Sequence, residues 1–246
     1  AVRVSSQRFD SDALCGPTFF SSPTMRALAG TITYFGPSGE SGREWFEMIP
    51  HRAGRSLRAL CRMDDVDVWR DVTILLDAHS RPLDAHVRVV QGEEVRGSMT
   101  YTTTTRGLEY RGMTAEHGPV DEWIALPQPL DYLGLHPLVG DALITCQRGT
   151  DAPGSFRTIH GYTNSKSANG ESGLLAYPSA IEVAYLGNET LRVEAGEFVA
   201  RHYQLRWQPQ WPVANLWVDG DDALFLRLTW DLNRSRYELT HLRNLV

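Results

Sequence analysis

The residues best suited by type and spacing to do chemistry crowd into one short segment, where Asp131, Tyr132, His136 and Asp141 lie close together and Pro137 and Gly140 stiffen the chain between them. A histidine positioned by a carboxylate works as an acid or base near neutral pH, so His136 and Asp131 are candidate catalytic residues. The same residues would equally build a capped surface turn in which Asp131 and Asp141 satisfy backbone amides. A second constellation lies on a strand expected from Pro82 to Val90, where alternation puts Asp84, His86 and Arg88 on one face and Leu83, Ala85, Val87 and Val89 on the other. On a concave face, Arg88 would clamp an anionic or phenolic substrate beside His86 as acid or base; on a convex face the trio is simply solvated. A third runs from Phe156 to Tyr162, where Thr158, His160 and Tyr162 offer a mixed aromatic and polar surface. His160 joins the candidate acids and bases, Arg157 joins Arg88 as a partner for a substrate carboxylate or phenolate, and Tyr162, Trp217 and Tyr101 are candidates to hold a ring, though aromatics more often pack a core.

Other chemistries lack their motifs. Glu44 and Glu47, with Asp64, Asp65 and Asp67, raise a paired-carboxylate or hard-metal reading, but Asp64-Asp65-Val66-Asp67 lacks the glycine and terminal glutamate of a calcium loop and reads as a solvated strand entry. The histidines show no zinc spacing, and Cys15, Cys61 and Cys146 are too scattered for a Cys-x-x-Cys site, so no metal is expected. Gly-x-Ser-x-Gly and phosphate-cradling glycine loops are missing, and no cofactor is expected. A net charge of −6 without a basic run argues against nucleic acid as a partner. Lys166 is the only lysine; it sits in the polar stretch 164–173, the ordinary setting of a solvated side chain.

The elements that must position these groups are strands. Segments of strand-like alternation recur about every ten residues between Gly, Pro, Asp and Asn clusters, the pattern of an all-β chain. Strands are expected at 29–35, 44–49, 56–63, 66–77, 82–90, 95–104, 108–114, 120–125, 142–147, 156–162, 181–186, 190–193, 200–207, 214–218, 223–230 and 236–241. In the clearest of them Leu224, Leu226, Leu228 and Trp230 share one face, and Asp219-Gly220 and Asp231 to Asn233 carry the turns of a meander. With 246 residues, 42% apolar and 22% charged, the chain suits one soluble domain, a strongly curved antiparallel sheet forming a half-barrel or open barrel with one or two short helical segments. Residues 1–27 are expected to wrap the sheet, with a short helix from Pro23 to Leu28, and 127–140 to form a lid-like insertion. The apolar runs are too short to span a membrane; the cysteine usage suits the cytoplasm, or the periplasm if a signal peptide preceded Ala1, and homodimerisation is compatible with the sequence.

The run Glu189-Thr190-Leu191-Arg192-Val193-Glu194-Ala195-Gly196-Glu197-Phe198, followed by His202-Tyr203, Leu216-Trp217-Val218 and Leu224 to Leu228, resembles a hairpin module of uncharacterised bacterial β-rich proteins akin to the lipoprotein-carrier (LolA-like) half-barrels. The resemblance covers the last quarter of the chain. It implies a curved sheet whose concave face holds an apolar molecule, a design that in similar biosynthetic enzymes acts without metal or cofactor. Two functions follow as expectations: a cofactor-independent lyase, dehydratase or isomerase working by acid-base catalysis on a small apolar, aromatic compound, or a non-enzymatic carrier of a lipid or other hydrophobic ligand.

Overall fold

The computed structural model describes residues 25–168 and 173–245. Fifteen strands and two short helices follow one another as β1 (Leu28–Gly36), β2 (Gly39–His51), β3 (Gly54–Met63), β4 (Val68–Asp77), β5 (Pro82–Gln91), β6 (Glu94–Thr104), β7 (Gly107–Thr114), β8 (Gly118–Ala125), β9 (Tyr132–Gly134), α1 (Leu138–Asp141), α2 (Ile144–Arg148), β10 (Phe156–Thr163), β11 (Tyr177–Val193), β12 (Gly196–Arg206), β13 (Ala214–Asp219), β14 (Leu224–Trp230) and β15 (Ser235–Asn244). They form one curled sheet in the order β8-β7-β6-β5-β4-β3-β2-β1-β15-β14-β13-β12-β11-β10-β9. Neighbours are antiparallel throughout except β9, which runs parallel to β10. The first and last strands pair in the middle, so each half of the chain is a meander running outward from the β1–β15 seam. The two ends of the sheet differ. β9 is buried inside the curl, whereas β8 is largely exposed and carries Pro119, Asp121 and Glu122, residues that discourage a foreign strand from pairing there.

Alternation fixes which side chains enter the curl. Leu57, Ala59, Cys61 and Met63 on β3, Val72, Ile74 and Leu76 on β4, and Val87 and Val89 on β5 are all buried. Each aliphatic side chain so buried contributes about 1.5–3 kcal/mol. Two charged residues occupy the same inward rows: Glu44 on β2 and Arg70 on β4 are 0% exposed. Between them on β3 lies Cys61, paired across the strands with both, so the three form one lateral row.

One strand of the sequence expectation is overturned. The strand anticipated at 142–147 is helical: α2 occupies Ile144–Arg148 and ends where the Gly149 amide, at a left-handed φ of 67°, closes on the Thr145 carbonyl. Ala142, Leu143, Ile144 and Thr145 are buried in succession, so the run has no alternation by which helix and strand could be told apart. The segment 127–140 forms a strap along the inside of the curl, with Leu130, Leu133, Leu135 and Val139 buried. The helix anticipated from Pro23 to Leu28 finds Leu28 opening β1, and most of the wrapping segment 1–27 lies outside the described residues. Among the described residues, no helix is long and apolar enough to cross a membrane.

Candidate functional site

The strap from Tyr132 to Asp141 is held in place by the two buried charges. Arg70 Nη1 donates to the Leu135 carbonyl at 3.2 Å, and its Nη2 to the Gly173 carbonyl at 2.8 Å. Glu44 accepts the amides of Leu138 at 2.8 Å and Val139 at 3.0 Å, together with the Tyr34 hydroxyl at 3.0 Å. Burial pushes the Glu44 carboxyl up to about 7, although the two amides and Tyr34 favour its charged form. His136 falls between the two anchor points and adopts a φ of 87°, a conformation costly for a non-glycine residue and sustained only where its surroundings dictate it. Its Nε2 is buried without a hydrogen-bond partner in the fold. Desolvation, with the nearby Arg70 charge, lowers its pKa to about 3, so the imidazole is neutral at ordinary pH.

Strap, sheet and the β12–β13 connection enclose a cavity of about 470 Å³. One wall is aromatic: Trp230 packs against Trp207 with ring centroids 4.9 Å apart and against Trp211 at 5.4 Å. Tyr237 and Tyr34, meeting edge to face at 5.2 Å, continue it. The strap supplies Tyr132, His136, Leu138 and Asp141. The Tyr132 hydroxyl donates to Asp141 Oδ1 at 2.6 Å. Desolvation raises the Asp141 carboxyl to about 7 against the pull of that bond, and the Glu44 charge adds to the rise. Such a carboxyl can give or take a proton near neutrality. At the open rim lie Lys166, Ser167 and Pro209. Two other hollows are comparable in size but more open: one of about 520 Å³ on the outer face beside Trp45, and one of about 630 Å³ beside Cys146, lined mostly by polar groups. Of these three hollows among the described residues, the 470 Å³ cavity is the one that combines enclosure, an aromatic wall and shifted titratable groups, the usual marks of a small-molecule site.

Of the candidate catalytic residues named in the sequence, His136 lines this cavity, together with its segment neighbours Tyr132 and Asp141. Asp131 does not join it: it pairs with Arg81 at 3.0 Å, and Asp141 takes the place of the strap carboxylate. His86 and Arg88 lie on the outer face of β5, since Ala85, Val87 and Val89 take the inner one; Leu83 is displaced outward at the irregularity opposite Leu75 and Leu76. His160 is exposed on β10, with Ile159 and Gly161 turned inward. Arg157 pairs with Asp151. Tyr162 packs half-buried against the core, and Tyr101 is fully buried, its hydroxyl donating to the Leu174 carbonyl. Trp217 stacks on His202 at 4.4 Å and donates its indole N–H to Glu189. The three histidines therefore do not converge. Among the described residues, no group of three His, Cys, Asp or Glu side chains is arranged to hold a metal ion. Arg70 is not singled out in the sequence and Glu44 is weighed there only as one of a group of carboxylates, although each occupies an inward position in an otherwise apolar alternation.

No family model and no curated protein matches the chain. Similarity is found among solved structures. A β-barrel-like protein of the domain of unknown function DUF1849 from Brucella abortus superposes with a TM-score of 0.55 at 10% identity, over 89% of this chain and 98% of that one. A DUF1089 family protein from Pseudomonas aeruginosa gives a TM-score of 0.44 at 15% identity, covering 74% of this chain and 87% of that one. The barrel-like fold is thus shared with the Brucella protein, whose domain is one of unknown function.

Proposed function

We propose that this protein binds a small, mainly apolar, ring-bearing molecule in the cavity between the strap and the Trp207–Trp211–Trp230 wall. The observation that carries the reading is the wall itself: three indoles packed on one another leave faces and edges to a space of about 470 Å³, a size and lining suited to one small ligand. The dispersal of His86, His136 and His160 favours binding over acid-base turnover, since an enzyme built on them would bring at least two to one substrate. The resemblance to carrier half-barrels points the same way. Titration with N-phenyl-1-naphthylamine, a neutral arene whose fluorescence rises in apolar surroundings, tests the reading. Saturable one-to-one binding is expected, weakened about tenfold by Trp211→Ala, in line with roughly 1.4 kcal/mol for loss of one aromatic contact surface. Binding that never saturates contradicts it.

A cofactor-independent lyase or isomerase is the second reading, favoured by one feature: Asp141, held near 7 and oriented by Tyr132, borders the cavity. Asp141 would then be the acid or base, with neutral His136 as its neighbour. Turnover would follow a pH profile with an inflection near 7 that Asp141→Asn abolishes; a ligand always recovered unchanged leaves binding as the whole function.

A further inference from the structure

We propose that the cavity selects an amphipathic anion, its ring system against the tryptophan wall and its acidic group at the rim beside Lys166. This rests on the binding reading above and adds the charge of the ligand. Three observations carry it. Lys166 is the only lysine in the chain, and it borders this cavity. Among the described residues its ammonium meets no carboxylate; its neighbour is the face of Tyr177, with Nζ 3.9 Å from the ring centroid, and Tyr177 borders the same cavity. Arg26, Arg62, Arg201, Arg206 and Arg227, by contrast, are each engaged with acidic side chains. The second positively chargeable group of the lining, His136, is neutral, so Lys166 supplies the cavity's positive charge.

The surroundings of Lys166 are those an anion requires. The hydroxyls of Ser165 and Ser167, 3.0 Å apart and hydrogen-bonded to each other, lie next to it and make the rim polar. Gln208, also on the lining, reaches the Lys166 carbonyl at 3.5 Å and ties the rim loop to the tryptophan side of the cavity. The carboxyl facing the ligand, Asp141, is already engaged by Tyr132 and lies deeper on the strap, so the two ends of the cavity differ in charge. An acidic group at the rim meets the Lys166 ammonium while staying partly hydrated, which avoids the cost of burying a charge.

The test compares 1-anilinonaphthalene-8-sulfonate with N-phenyl-1-naphthylamine, which share an arene skeleton and differ by the sulfonate, on the full chain as wild type, Lys166→Gln and Lys166→Arg. Folding of each is checked by its cooperative melting. The wild type is expected to prefer the sulfonate by about fivefold to tenfold, the range of a partly exposed charge-assisted contact. Lys166→Gln is expected to collapse that ratio to near one, and Lys166→Arg to keep it. An equal ratio in the wild type and Lys166→Gln, or tighter binding of phenyltrimethylammonium than of the sulfonate, overturns the charge assignment while leaving the cavity reading in place. Failure of the neutral arene to bind at all overturns both.

Discussion

Glu44 and Arg70, two strands apart on the inner face of the sheet, grip the same strap on either side of His136. Arg70 takes the Leu135 carbonyl at 3.2 Å, and Glu44 takes the Leu138 amide at 2.8 Å. This grip fixes the chain on both sides of the positive φ of His136. Replacing Glu44 by Leu leaves two buried amides unpaired, and a loss of roughly 2–5 kcal/mol is expected in urea unfolding. Glu44→Gln keeps one acceptor oxygen and is expected to cost less, about 1–2 kcal/mol.

The same residues shape the dependence of stability on pH. Glu44 and Asp141 each titrate at about 7 in the folded protein, against 4.5 and 3.8 for the free groups, so the folded state holds protons that the unfolded chain has released. Their contribution is therefore present at low pH and is lost as pH rises through this window; for Glu44 alone the fall is about 3 kcal/mol. His136 acts in the opposite direction, because a folded-state value of about 3 against 6.5 makes stability rise with pH between those limits. Two groups against one leave a net decline from about pH 4.5 to 7. Urea midpoints measured across that range should flatten in Glu44→Gln and turn upward in the double variant with Asp141→Asn.

Gly161 lets the strap lie against β10. A Cβ at this position would stand 2.3 Å from the Tyr132 carbonyl oxygen, and neither backbone can retreat without breaking the parallel β9–β10 pairing. Gly161→Ala should destabilise by about 1–3 kcal/mol and speed amide exchange in Leu133 and Gly134, with little change in the distant β5–β6 ladder.

The outer-face residues should be dispensable for the cavity. His86→Ala, Arg88→Ala and His160→Ala are each expected to change stability by no more than about 0.5 kcal/mol. Affinity for the neutral arene should stay within twofold of wild type. A large loss of binding in any of them would move the site to the outer face.

How far the sequence disclosed this architecture depends on how local the signal was. The meander was legible because alternation and turn residues act over a few positions: Leu224 to Trp230 keep their alternate residues buried, and Gly220 turns the chain at a φ of 62°. The strap was not, because Tyr132 to Gly134 is too short to alternate and its partner strand, β10, lies more than twenty residues away. His136 was legible as a residue with unusual company, but its company changed in space: Asp131 turned to Arg81, and Asp141 turned to Tyr132. Glu44 carried a readable sign that went unused, since alternation places it with Phe46 and Met48 rather than on the face of Glu47. His86 and Arg88 sharing a face followed from period two; that this face is the outer one depended on the sense of the sheet's curl, which no residue on β5 encodes.

The most direct test of the account is a crystal structure of the full chain with N-phenyl-1-naphthylamine. Electron density for the arene against Trp211 and Trp230, within reach of Asp141 and with the strap in place, is the predicted result. An arene seated on the outer face beside Trp45, with the inner cavity closed over by its own side chains, would contradict it.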